Sequence, residues 1–237
     1  MDFSGVFTNG PIRFVVCAYR IPQATVDRFI AMNDAAFRSY GAILTVVTDA
    51  TGRTLPGYAE EVVYPVKQDV FNFSKTINYG IRNGATCGTV VKTDIDIIIP
   101  AALIGYSGKV SDGAGLVHLC ADVPSVEVAN ARSIRWPDGV KIMPHGHGGY
   151  FALSYGDWSA LYGYDERMYG WGTEDKNMFD RASRRVKMEK STSFPLFHIH
   201  HPKRLGKFFP YRSGRNHEIS KRGRYVNPEW GSASAVV

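Results

Sequence analysis

Gly88-Thr89-Val90-Val91-Lys92-Thr93-Asp94-Ile95-Asp96 is the stretch whose reading decides the fold. Its first six residues, Gly88–Thr93, read as a strand, and that strand runs directly into two carboxylates one residue apart. Upstream, Ile12–Ala18 and Ala42–Thr48 are two further apolar, β-branched runs, and Val62–Tyr64 is a short third. Helical patterns alternate with them. Ala24–Tyr40 carries Val26, Phe29, Ile30, Ala36 and Phe37 at helical spacing, with Pro22 near the first turn and Gly41 where a C-cap is expected. Phe73–Arg82 reads as a second helix, ended by Asn83-Gly84. Strand–helix–strand alternation with short connections predicts an α/β chain: a single Rossmann-like domain with a mainly parallel central sheet flanked by helices. Such sheets bind ligands beyond the carboxyl ends of their strands. Asp49 and Asp94 both stand at such ends, so both are expected at one mouth.

The chain of 237 residues is long enough for one substantial domain, and 44% hydrophobic with 21% charged residues is a globular composition. It has no apolar run of about 18 residues, so no membrane span is expected. Met1-Asp2-Phe3-Ser4-Gly5 lacks the basic-then-apolar plan of a secretory signal. Cys17, Cys87 and Cys120 are far apart and form no C-x-x-C pair, which argues against a disulfide framework or a cysteine zinc site. They read as reduced, buried thiols, and the expected compartment is the cytoplasm, with attachment at an inner membrane or a phage-infected host cell as variants. The net charge of +6 is unevenly spread: between Arg181 and Arg224, lysines and arginines face only Glu189 and Glu218. A basic end of this kind fits a nucleotide diphosphate, a nucleic acid, an acidic lipid or an acidic glycan, or simply a solvated surface.

The second half is less regular. Leu116–Leu119, Ser125–Val128 and Tyr150–Leu153 read as strands, and Ala129–Met143 as a hairpin or loop. His145–Gly149 reads as a glycine-rich turn, Tyr155–Tyr162 and Glu174–Arg185 as helices, and Phe194–His201 as a last apolar strand. From Lys203 onward the chain is basic and expected to be irregular. Residues 203–237 therefore read as a basic extension of a domain spanning 1–202, whose halves divide near residue 100.

A second acidic motif, Gly170-Trp171-Gly172-Thr173-Glu174-Asp175, lies about eighty residues after the first. Two glycines, an indole and paired carboxylates rarely fall together on a plain surface. Trp171 offers an apolar ring face to a sugar or another flat acceptor, and its glycines allow close backbone approach. Glu174 and Asp175 open a helix, where amide groups and the helix dipole are expected to keep them ionised. Asp94 and Asp96 are hard oxygen donors suited to Mn2+ or Mg2+, and a divalent ion bridging two phosphates stabilises a departing diphosphate. Phe197-His198-Ile199-His200-His201 adds histidines, of which His198 and His200 share one strand face.

In this order and context the two motifs resemble the metal-dependent GT-A-fold glycosyltransferases, closest to the β-1,4-galactosyltransferase and chondroitin-polymerase-like members. Other stretches carry the same resemblance. Phe73-Ser74-Lys75-Thr76-Ile77-Asn78-Tyr79-Gly80 is similar to the family's F-S-K/R-x-x-N-x-G helix, Gly148-Gly149-Tyr150-Phe151 to its G-G-x-F segment, and Tyr164-Asp165-Glu166 to its G-F-D-E stretch. The likeness runs from Ile12 to Pro202. It implies a single GT-A-like domain, with a donor half of about 11–100 and an acceptor half of about 101–202. It implies a nucleoside diphosphate sugar as donor, UDP-linked by preference, with Mn2+ or Mg2+ as the ion. Ala18, Tyr19, Arg20, Asp49, Lys75, Asn78 and Asp94 would then contact the donor. Asp94 and Asp96 would hold the metal, completed by His198 or His200. Asp175 would act as base beside Glu174, while Trp171, Gly172, Gly149 and Tyr150 would meet the acceptor. Two departures stand out. Lys176 and Asn177 follow Glu174-Asp175 where the family often has another acid, which leaves the base between those two open, and Tyr164 replaces the usual Phe. The expected acceptor is a glycan; a hydroxylated base in DNA is the alternative, held by Lys203, Arg204, Lys207, Arg212, Arg215, Lys221, Arg222 and Arg224 against phosphates. A non-catalytic nucleic-acid-binding protein on this fold would need the basic residues but none of the carboxylates. A nucleotidyltransferase would need a glycine-rich triphosphate loop, which the first strand is not followed by.

Overall fold

A computed structural model describes residues 10–85, 87–123, 149–194, 196–199, 209–222 and 224–233. The expected alternation is present: β1 Ile12–Cys17, α1 Gln23–Ser39, β2 Ile43–Thr48, β3 Ala59–Val63, α2 Phe73–Asn83 and β4 Thr89–Thr93. After the D-x-D come β5 Ile97–Ile98, α3 Ala101–Ser107, β6 Ala114–His118 and β7 Ala121–Val123. Then follow β8 Tyr150–Ser154, α4 Tyr155–Ala160, α5 Glu174–Ala182, β9 Lys187–Ser191, β10 Phe197–Ile199 and α6 Ser213–Lys221.

Among the described residues the main sheet has seven strands, in the order β3-β2-β1-β4-β8-β6-β9. β3, β2, β1 and β4 pair in parallel, β8 runs antiparallel to both β4 and β6, and β6 pairs in parallel with β9. It is thus mainly parallel, with β8 the opposed strand among those described. β2 and β4 flank β1, so Asp49 and Asp94 do leave the sheet on the same side.

Both faces are covered because successive strand residues point to opposite sides. Phe14 and Val16 pack with Phe29 and Phe37 of α1 and Leu103 of α3. Val15, Val47 and Val90 pack with Ile77 and Ile81 of α2, Trp158 of α4 and Met178 of α5. Helix α2 lies so close to the sheet that a Cβ at Gly80 would stand 2.9 Å from a Val15 methyl. At its N-terminal end the Phe73 ring centre lies 4.8 Å from Lys92 Nζ, beside Asp94. On α1, buried Asn33 donates to the Ile97 carbonyl at 3.0 Å and accepts from the Ile99 amide at 2.8 Å, which anchors the chain just beyond the D-x-D.

Several expectations are corrected. A second sheet, β5-β10-β7, was not expected: β10 lies within the expected strand Phe194–His201, but β5 and β7 are two and three residues long, too short for a periodic pattern. β9 is a largely exposed polar edge strand, Lys-Met-Glu-Lys-Ser, without alternation. α5 stops at Ala182, so its last residues were overextended. The segment after residue 203 is not irregular throughout, since α6 spans Ser213–Lys221. The described part of that segment packs on the rest: Trp230 is 5% exposed among the α2 core residues, and Arg82 donates to its carbonyl at 2.6 Å. The expected strand Ser125–Val128, the loop 129–143 and most of the turn 145–149 lie outside the described residues, as do His200 and Lys203, Arg204 and Lys207. No described helix is long and apolar enough to cross a membrane.

Candidate active site

Strand β4 delivers its charge through Lys92, one residue before the strand ends. Lys92 is 1% exposed, and its Nζ lies 2.6 Å from Asp94 Oδ1, 3.5 Å from Asp175 Oδ1 and 4.8 Å from the centre of the Phe73 ring. Burial alone would lower its pKa, but Asp175 and Asp94 outweigh that and raise it, so the ammonium stays charged. Two motifs about eighty residues apart therefore meet at one buried cation. Burial, with Asp96 and Asp175 nearby, raises the Asp94 pKa despite the opposing pull of Lys92.

Asp96 and His198 face each other across the small sheet. β10 pairs with both β5 and β7 at His198, opposite Ile97 and Asp122, and the Ile199 amide donates to the Asp96 carbonyl at 2.9 Å. His198 Nε2 lies 3.5 Å from Asp96 Oδ2, and its Nδ1 lies 2.6 Å from Asp122 Oδ1. Burial would lower the imidazole pKa, but hydrogen bonds to Asp96 and Asp122 carry it to about 9. Asp122 was not anticipated, because only the short β7 puts it behind the histidine. The donor set of two carboxylates and an imidazole has the chemistry of a Mn2+ or Mg2+ site. As they stand, no three His, Cys, Asp or Glu side chains among the described residues converge into a metal cluster. Lys92 and Asp122 hold two of the donors instead.

The G-W-G-T-E-D loop is clamped. The Gly170 amide donates to the Phe71 carbonyl at 2.8 Å, and Trp171 pairs with Tyr211 through Trp171 N to Pro210 O and Arg212 N to Trp171 O, each 2.9 Å. Thr173, before α5, takes φ +80°, an outlier for a β-branched residue. Its hydroxyl is tied to the Ser213 hydroxyl at 2.9 Å, and strain of this kind persists only where the surroundings over-determine it. Glu174 is 7% exposed and accepts from the Gly172 amide at 2.7 Å. Burial and the neighbouring Asp175 raise its pKa to about 7, so the expectation that the helix N-terminus keeps it ionised is corrected: desolvation wins. Asp175 receives a hydrogen bond at 2.9 Å from the Tyr164 hydroxyl, whose own pKa burial and Asp175 push well above the usual phenol value. The Tyr-for-Phe departure thus adds a donor to the candidate base.

The other expected residues divide. Asp49 is exposed and accepts the Arg20 amide at 3.0 Å, holding Arg20 at φ +52° at the mouth. Lys75 is half-buried in the first turn of α2, its amide capped by Asn72. Ala18 and Tyr19 are buried: the Ala18 amide extends the pairing to Val47, and the Tyr19 hydroxyl accepts from the Gln68 amide. Asn78 is fully buried and spends its side chain on Tyr164 N, Tyr164 O and Glu166 Oε1, so it joins two segments and does not face the mouth. Tyr150 is also core, with its hydroxyl 2.7 Å from that of Ser107, and Gly149 is packed under Ile97 and Cys120. Tyr150, in the interior strand β8, is not positioned to meet an acceptor. Trp171, by contrast, is 44% exposed, and so is Tyr211 at 59%, its centroid 5.3 Å away. Sequence reading missed Tyr211, since nothing local couples it to Trp171.

The catalytic domain of Drosophila beta-1,4-galactosyltransferase 7, solved with xylobiose, superposes with a TM-score of 0.62 over 93% of this chain and 83% of that one, at 15% identity. The fold is GT-A. Residues 142–206 match the family described as the N-terminal domain of galactosyltransferase. A second structure of the Drosophila protein, with manganese, UDP-Gal and xylobiose, gives a TM-score of 0.58 over 92% and 82% of the two chains at 15% identity. S. aureus TarS in complex with UDP-GlcNAc gives 0.55 over 93% and 69% at 12% identity. No curated protein sequence matches the chain. The described GT-A core places the D-x-D at the end of β4 and the second acidic motif at the start of α5.

Proposed function

We propose that the chain transfers a sugar from a nucleoside diphosphate donor, UDP-linked by preference, to a hydroxyl of a glycan, with inversion at the anomeric carbon. The observation that carries this is the meeting of Asp94 and Asp175 at Lys92. It supports a reading in which the diphosphate end of the donor and the candidate base share one site. Asp175 takes the proton of the acceptor hydroxyl as that oxygen attacks from the face opposite the leaving diphosphate. Tyr164 and Lys92 orient its carboxylate, and Glu174, held by the Gly172 amide, fixes the start of α5. Asp94, Asp96 and His198 would hold Mn2+ or Mg2+, which supplies charge stabilisation to the departing diphosphate. Asp49, Arg20 and Lys75 stand at the mouth for the nucleotide. The manganese and nucleotide sugars bound by the Drosophila and S. aureus neighbours support this choice of donor and ion.

The test is nucleotide release from a panel of nucleotide sugars, with Mn2+ or EDTA, and with or without duplex DNA containing hydroxymethylated pyrimidines. Mn2+-dependent release from one donor, unaffected by the DNA, is the expected result. Stimulation by the DNA would move the acceptor to a modified base. Failure to bind any UDP-linked donor in the presence of Mn2+ would overturn the reading.

A further inference from the structure

Trp171 and Tyr211 are two of the four large hydrophobic side chains that stand exposed among the described residues. They are not a chance pair. A parallel bridge joins their backbones, Asn216 of α6 donates to the Gly172 carbonyl at 2.8 Å, and a Cβ at Gly172 would lie 2.9 Å from that of Ser213. Only glycine, at φ +116°, lets the two segments close to this separation. The rings are tilted by 47°, so they form an open angle and not a flat stack. The next turn of chain brings Arg212 and Arg215. Arg215 lies 4.1 Å and Arg212 5.8 Å from the centre of the Tyr169 ring, and Arg215 also hydrogen-bonds the Tyr169 hydroxyl. Both are exposed, and neither has a carboxylate partner among the described residues. The acid on the same helix, Glu218, is bonded to Lys221 at 2.9 Å. Planar guanidinium groups held on an aromatic ring are pre-oriented for carboxylate, sulfate or phosphate oxygens.

We infer that Trp171 and Tyr211, with Arg212 and Arg215 beside them, form an acceptor subsite for an acidic saccharide, a sugar bearing a carboxylate, sulfate or phosphate group. The inference rests on the glycosyltransferase reading above and narrows its acceptor. The rings take the apolar C–H faces of the sugar, and the arginines take its anionic group. The subsite adjoins the candidate base: Trp171 precedes Asp175 by four residues, and the Glu174 carboxylate next to that base accepts from the Gly172 amide. A nucleic acid fits less well, because stacked bases lie parallel whereas these rings do not.

The experiment measures binding of the whole chain to immobilised oligosaccharides that are neutral, carboxylated, sulfated or phosphorylated, with carboxyl-reduced controls and a short DNA duplex. The expected result is binding of at least one acidic class about tenfold more tightly than its neutral counterpart. In Arg212→Gln/Arg215→Gln that ratio falls to near one, while Trp171→Ala weakens acidic and neutral sugars alike. Melting temperatures check that the variants fold. Should they not, the wild-type salt dependence decides: the preference for acidic sugars must shrink as NaCl rises. Equal binding of neutral and acidic sugars, no binding of any acidic sugar, or a preference for duplex DNA over every sugar overturns the inference. Calorimetry with UDP and Mn2+ on the same sample separates this from failure of the transferase reading.

Discussion

At Asp94–Asp96 the carboxylates are answered by charged side chains: Lys92 at 2.6 Å from Asp94, and His198, backed by Asp122, at 3.5 Å from Asp96. At Glu174–Asp175 the close contacts are neutral, a backbone amide at 2.7 Å and the Tyr164 hydroxyl at 2.9 Å. The difference matches what each pair would have to do. Groups that give up partners to a cation are held by exchangeable ion pairs. A base that must accept a proton and release it is held by dipoles that leave its charge uncompensated, apart from Lys92 at 3.5 Å. Lys92 touches both motifs.

The largest effect expected from breaking this contrast is at the base. Asp175→Asn should cost at least about a hundredfold in transfer rate while UDP binding persists, as loss of a general base does. Initial rates over a donor titration measure it, and a rate near wild type would move the base to Glu174. On the other side, Asp122→Asn leaves the proposed ligands Asp94, Asp96 and His198 in place but frees His198 to turn. The Mn2+ dissociation constant, read by electron paramagnetic resonance on the chain without substrate, should rise about 10- to 100-fold. An unchanged constant would show that His198 is not a ligand.

Lys92→Met tests the link between the two sites. It leaves Asp94 and Asp175 without their shared cation, and because their side chains are 36% and 28% exposed the cost should fall below that of a fully buried pair, at about 2–3 kcal/mol in urea unfolding. No loss would mean that water already screens both carboxylates. The smallest effect is in pH dependence. Glu174 has a folded pKa of about 7 against an ordinary 4.5, so the folded state holds a proton the unfolded chain has released. Its contribution to stability is full below pH 4.5 and is lost as pH rises through 7. Glu174→Gln should remove this slope and leave the protein more stable than wild type at pH 8. Parallel stability curves for the two proteins between pH 4 and 8 would rule it out.

Much of the donor side was legible because it depends on local pattern. β-branched runs at Ile12, Ala42 and Gly88 announce strands, amphipathic spacing announces α1 and α2, and a strand that stops at a carboxylate puts that carboxylate at the mouth. The same reading overreached at Asn78 and Tyr150, where a motif position was taken for a ligand contact although both side chains are buried and bonded inside the protein.

Amino-acid order by itself determined the α/β alternation, the two acidic motifs and the basic character of the C-terminal region, since each rests on neighbours within a few residues. Tertiary structure alone decided that Lys92 joins Asp94 to Asp175, that Asp122 stands behind His198, and that Tyr211 returns to Trp171. Those contacts join residues from 40 to 83 positions apart, apart from Lys92–Asp94, and the balance between burial and charge that sets Glu174 near pH 7 exists only once the packed protein has removed the water.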